Sequence, residues 1–195
     1  MTIRQRILQF FYPILVRLGK LNKSKQMVKG DKSTNATQSI YNLETVLNNQ
    51  QLLKFEALKG KKVLLVNTAS NCGYTPQYAE LQKLHQQYKN KLMIIGFPAN
   101  DFKEQEKGSD DEIARFCQVN YGVDFPIAKK STVVASADQN PVFKWLTHKD
   151  LNGWNDQQPV WNFSKYLINE KGQLTHVFKP SVSPLSKEVI EAIEN

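Results

Sequence analysis

The sequence predicts an α/β domain with a central mixed sheet and helices on both faces. Two runs, Lys62–Asn67 and Leu92–Phe97, are apolar without alternation, as strands covered on both faces are. Between them lies a helical pattern in which Tyr78, Leu81, Leu84 and Tyr88 share one face. Two further runs, Trp161–Ile168 and Gln173–Pro180, flank the turn Asn169-Glu-Lys-Gly172 and read as a β-hairpin.

The other elements follow in order. Pro76 suits the first position of a helix over 76–90. Ser109-Asp-Asp-Glu112 is a capping box, with Ser and Glu spaced to satisfy each other's backbone donors. It opens a helix carrying Ile113, Phe116 and Cys117 on one face. A helix is expected around Pro141–His148, and another from Pro184 with Leu185, Val189, Ile190 and Ile193 inward. A βαβ unit followed by a helix, a hairpin and a last helix is the order of a thioredoxin-like sheet. The chain divides into a basic and apolar arm, residues 1–21, a polar linker, 22–39, and the compact domain, 40–195.

Charge excludes one class of partner. The net charge is +8, yet residues 1–32 hold eight basic residues against the single acid Asp31, leaving +1 for residues 33–195. A nucleic-acid binder carries its basic stripe on the folded domain, so no nucleic acid is expected as partner. In the arm, Met1-Thr-Ile-Arg-Gln-Arg-Ile-Leu-Gln-Phe-Phe-Tyr-Pro-Ile-Leu-Val-Arg17, the apolar run is too short to span a bilayer. No small-x-small cleavage site follows, so surface association fits better than cleaved export. A basic amphipathic segment over residues 1–20 can lie on an anionic membrane face. The same residues also fit a poorly ordered tail or a helix packed on its own domain. The expected placement is cytoplasmic, peripheral to the membrane, with export left open.

Two cysteines exclude a disulfide scaffold, and His85, His148 and His176 are too scattered for a zinc signature, so no metal and no cofactor are expected. The histidines, Trp145 and Trp154 read as surface or packing residues. Cys72 lies where the first strand turns into a helix, and open parallel sheets place reactive groups beyond the carboxyl ends of their strands. A helix N-terminus stabilises a thiolate, the nucleophilic form. A lone cysteine is more often a small buried hydrophobe; polar Ser70 and Asn71 beside this one favour reactivity.

Three blocks, Asn67-Thr-Ala-Ser-Asn-Cys72-Gly-Tyr-Thr-Pro76, Gly96-Phe-Pro-Ala-Asn-Asp-Phe102 with Glu104-Gln-Glu106 after it, and Trp161-Asn162-Phe163, resemble the signature blocks of glutathione peroxidases. The resemblance covers residues 40–195 and keeps the block order. It implies that Cys72 is the peroxidatic cysteine and that Trp161 and Asn162 line its pocket. Asp101 stands where the family pattern has Gln. A carboxylate only accepts hydrogen bonds, and beside Cys72 it would raise the thiol pKa; turned outward, it leaves Asn100, Asn162 and the Trp161 indole to serve the site. Cys117 resembles the resolving cysteine of non-animal, two-cysteine members, which implies thioredoxin rather than glutathione as the main reductant. Its segment must move or partly unwind to reach Cys72, and a plain core role for Cys117 is the alternative.

The expected activity is reduction of hydrogen peroxide or organic hydroperoxides through a Cys72 sulfenic acid, resolved by Cys117. Two alternatives from other classes are a redox sensor or relay, and a membrane-associated binding module with a weakened site. The stretch Lys149–Pro159 lacks a long insertion, which argues for a monomer.

Overall fold

The structure, a computed structural model, describes residues 1–21, 27–30 and 36–195. Helix α1 (Ile3–Leu21) precedes strand β1 (Met27–Lys29) and a small hairpin, β2 (Glu44–Val46) and β3 (Leu52–Lys54). Then come β4 (Lys62–Thr68), α2 (Gln77–Gln87), β5 (Leu92–Pro98), α3 (Asp110–Tyr121), α4 (Pro141–Leu146) and α5 (Lys149–Asn152). Strands β6 (Lys165–Ile168) and β7 (Leu174–Phe178) and helix α6 (Lys187–Glu194) close the chain. The main sheet runs β1-β7-β6-β4-β5. Strands β4 and β5 pair in parallel and the other neighbours are antiparallel, so the sheet is mixed as expected.

Every residue of β4 is buried, because both faces of the sheet are covered. Leu64 and Val66 face a core with Tyr78, Leu81, Ile113 and Val189, from α2, α3 and α6. Val63 and Leu65 face a second core with Phe143 and Trp145 of α4. Each fully buried large apolar side chain contributes about 1.5–3 kcal/mol, which fixes β4 as the rigid base of the loop that follows it. Helix α3 is firmly ended. The Ser109 amide donates to Glu112 Oε2 at 2.7 Å, the Glu112 amide donates back to Ser109 Oγ at 3.3 Å, and Gly122 stops the helix in the left-handed region at φ 63°.

Three expectations are corrected. The polar stretch 22–39 is not all linker: Met27–Lys29 adds an edge strand to β7, while residues 22–26 and 31–35 lie outside the described residues. Trp161–Ser164 is a turn, not the start of the hairpin, because Phe163 takes φ 68° and breaks the extended backbone. Helix α6 begins after Ser186 rather than at Pro184, which leaves Leu185 exposed. Of the readings left open for the arm, the structure shows a helix that packs on its own domain, with Tyr12 buried and its hydroxyl donating to Glu80 Oε1 of α2 at 2.9 Å. No described helix is long and apolar enough to cross a membrane.

Candidate active site

The end of β4 builds the site. Thr75 Oγ1 accepts from the Cys72 amide at 2.9 Å and donates to the Ala69 carbonyl at 2.8 Å, tying the loop after β4 into a closed turn before α2. The Tyr74 amide points at Cys72 Sγ, 3.4 Å away. Cys72 is wholly buried. Burial pushes its thiol up; the Tyr74 amide, the Trp161 and Asn162 side chains and the Gly73 amide oppose that by hydrogen bonding to the thiolate. Cys72, Trp161 and Asn162 therefore lie in one site.

Asn67, the penultimate residue of β4, holds the Trp161 turn in place. Its Nδ2 donates to the Trp161 carbonyl at 3.1 Å, its Oδ1 accepts from the Ser164 amide at 3.0 Å, and its backbone carbonyl accepts from the Phe163 amide at 2.6 Å. Left-handed backbone costs a non-glycine residue roughly 1–2 kcal/mol. At Phe163 these bonds, together with an edge-to-face contact of its buried ring on Tyr78, over-determine the turn.

Asp101 does not join them. Its Oδ2 accepts from the Val133 backbone amide at 2.8 Å, across a different loop, so its candidacy as a catalytic residue is corrected. Asn100 is also engaged elsewhere, its Oδ1 accepting from the Glu106 amide at 2.9 Å. The group that does arrive is Gln105, which stands after the second block and has no role implied by the resemblance. Its side-chain oxygen accepts from Asn162 Nδ2 at 3.1 Å, and its carbonyl accepts from the Asn71 amide at 3.1 Å. Two successive left-handed residues, Lys103 at φ 52° and Glu104 at φ 50°, turn the chain to aim it there. The same turn lays Phe102 against Trp161, with ring centres 5.6 Å apart, and sets Lys103 Nζ 5.8 Å from that ring's centre.

Glu106 lies beneath this turn. It is buried and accepts from Ser70 Oγ at 3.0 Å, and burial raises its pKa to about 7 against the opposing effects of the Ser70 bonds and Lys130. Cys117 is a free, buried thiol in the same core cluster as Cys72. Burial pushes its pKa up to about 12, with Glu106 adding to the rise and the nearby Tyr78 hydroxyl opposing it. Asn71 Oδ1 and Asn162 Oδ1 are buried and accept no hydrogen bond. Beside a thiol, two such oxygens can receive the hydrogen of a hydroxylated or peroxidic substrate.

A thioredoxin-type sheet presenting one cysteine to an indole, an amide and two backbone amides defines a thiol-dependent oxidoreductase. The glutathione peroxidase family model matches residues 40–147. The chain is 45% identical to the glutathione peroxidase-like peroxiredoxin HYR1 of Saccharomyces cerevisiae over 155 residues, 78% of this chain and 94% of that one. It is 43% identical to the glutathione peroxidase homolog BsaA of Staphylococcus epidermidis, over 75% of this chain and 92% of that one. The crystal structure of Trgpx in apo form superposes with a TM-score of 0.61 at 30% identity, covering 82% of this chain and 98% of that one. The chain belongs to the glutathione peroxidase family, and it is a thiol peroxidase.

Proposed function

We propose that Cys72 is the peroxidatic residue and Cys117 the resolving one. The Cys72 thiolate attacks one oxygen of the peroxide. The O–O bond breaks, the sulfur becomes a sulfenic acid, and the other oxygen leaves as water or alcohol after taking a proton. Cys117 then attacks the sulfenic sulfur, forming a disulfide and releasing water. A dithiol protein of the thioredoxin type reduces that disulfide by exchange, leaving both cysteines as thiols and itself oxidised. The observation that carries this reading is the Tyr74 amide 3.4 Å from the buried Cys72 Sγ, with the Trp161 and Asn162 side chains and the Gly73 amide also favouring the thiolate. Those donors hold negative charge on sulfur as it forms. Asn162 is one of these donors, and the side-chain oxygen of Gln105 holds its Nδ2 at 3.1 Å.

The capped ends of α3 support a resolving step that needs local opening, since Cys117 sits mid-helix with its sulfur inward. Peroxide consumption supported by thioredoxin, compared with glutathione, in the wild type and in Cys117→Ser tests the assignment. Thioredoxin-linked turnover falls sharply in the variant, and equal turnover would leave Cys117 a core residue.

Contact with an anionic membrane surface through residues 1–20 belongs to the same reading. Ile3, Ile7, Phe10, Phe11, Ile14 and Leu18 of α1 are exposed, and the helix carries no acid. Sedimentation with phosphatidylglycerol vesicles, lost on deletion of residues 1–21, tests it.

A further inference from the structure

Helix α1 reaches each segment that carries the redox chemistry. Gln5 Nε2 donates to the Ser70 carbonyl at 3.0 Å, on the loop that holds Cys72. A Leu15 methyl carbon stands 2.9 Å from where a Cβ on residue 73 would be, so the residue beside the cysteine lies directly under the helix. Tyr12 is tied to Glu80 on α2. The terminal ammonium of Met1 donates to Asn120 Oδ1 at 3.2 Å, on α3 one turn beyond Cys117. The helix thus straps together the loop, α2 and α3. These are the parts that must separate for Cys117 to meet Cys72 and for a protein reductant to reach either sulfur.

The inward face consists of Gln5, Leu8, Tyr12, Leu15 and Val16, at helical spacing. At 100° per residue the opposite arc holds Ile3, Ile7, Phe10, Phe11, Ile14 and Leu18, with Arg4 on one border and Arg6 and Arg17 on the other. Phe10 is 76% exposed and Ile3 79%, so this stripe has no partner among the described residues. Pairing it with a second copy would bring like charges together, because α1 has no acid to balance its arginines. An apolar stripe bordered by arginines matches the interface of an anionic bilayer.

We infer that α1 is a cap over the Cys72 site and that an anionic bilayer draws it off, opening the site at the membrane. The inference rests on the membrane-contact reading above. A ligand shifts an equilibrium only by its differential affinity for the two states. The released helix is the better lipid ligand, because release adds Leu8, Leu15, Val16 and the Tyr12 ring to the apolar surface it offers. The domain face it leaves is unsuited to follow it into the headgroups. Asp110, Asp111 and Glu112 occupy the first turn of α3, and Asp111 and Glu112 stand beside Met1 with Arg115 as the neighbouring cation.

The test is the rate at which N-ethylmaleimide labels Cys72 in the reduced full chain, read by peptide mass, alongside co-sedimentation with vesicles. Phosphatidylglycerol vesicles should speed labelling on the order of tenfold, within the usual range of coupling between two sites, and phosphatidylcholine vesicles should not. Tyr12→Ala and, separately, Leu15→Ala should label fast without vesicles, both lying outside the two cores of the domain. Phe10→Asp with Ile14→Asp should neither sediment nor respond. Sedimentation with unchanged or slower labelling overturns the inference while leaving membrane contact intact. Absence of sedimentation overturns both. Slow labelling in both inner-face variants would show that α1 does not cover the cysteine.

Discussion

Asn162 Nδ2 donates to the side-chain oxygen of Gln105 at 3.1 Å. Asn162 is also among the groups that favour the Cys72 thiolate, so one side chain joins the surroundings of the reacting sulfur to a residue held by a left-handed turn. An amide nitrogen carries two hydrogens, so the bond to Gln105 leaves one free to serve the thiolate. Removing Asn162 as Ala should therefore cost on the order of 10²-fold in the rate of reaction with hydrogen peroxide, the usual loss for one donor to a developing charge. Gln105→Ala should cost about tenfold, since it removes positioning and not the donor itself. The two losses should be strongly non-additive in the double variant, as expected of groups that act through one another. Stopped-flow rates read the losses, and unchanged denaturant unfolding of Gln105→Ala would separate positioning from loss of fold.

Asp101→Gln should leave the Cys72 titration and the peroxide rate unchanged, because the carboxylate is spent on the Val133 amide. Asp101→Ala should lower stability by about 1–3 kcal/mol, the cost of stranding a donor whose partner was charged. Denaturant unfolding checks the second effect and thiol titration the first. A rate increase in Asp101→Gln would mean that the carboxylate reaches the site.

The Cys72 thiol is pushed up by burial, and the Trp161 indole is among the groups that oppose that shift. The rate with peroxide should rise with pH through the thiol titration. In Trp161→Phe the rise should move to higher pH, since one donor to the thiolate is lost. A profile that stays in place would remove the indole from the list of groups acting on sulfur.

Glu106 titrates at about 7 in the folded chain against an ordinary 4.5. Between those values the native state holds a proton that the unfolded chain has lost, so stability falls as pH rises through that window. Glu106→Gln should remove the slope, gaining on the order of 1–3 kcal/mol relative to wild type at pH 8 and little at pH 4. Urea unfolding across this range reads it directly. A wild-type slope that persists in the variant would assign it to another group.

The parts of the fold that the sequence made legible are those that each residue specifies locally. Lys62–Asn67 and Leu92–Phe97 lack alternation because helices cover both faces of β4 and β5, and Ser109 with Glu112 marks the start of α3 by its own bonding. Met27–Lys29 was hidden because an edge strand of three residues needs only the backbone of β7. Cys72, Trp161 and Asn162 could be read from their blocks. Gln105 could not, since its arrival depends on left-handed backbone at Lys103 and Glu104, two residue types that do not announce it. The covering of the Cys72 loop by α1 was equally illegible, because both faces of that helix are apolar and only packing decides which turns inward.

In the proposed cycle Cys72 reacts with peroxide and Cys117 resolves the product. One equivalent of hydrogen peroxide added to the fully reduced chain, followed by intact mass and peptide mapping under non-reducing conditions, tests it most directly. The expected result is a loss of two hydrogens, a cross-linked pair of peptides containing Cys72 and Cys117, and lowered amide-exchange protection in α3. A sulfinic Cys72 beside an unmodified Cys117 thiol, with α3 still protected, would contradict it.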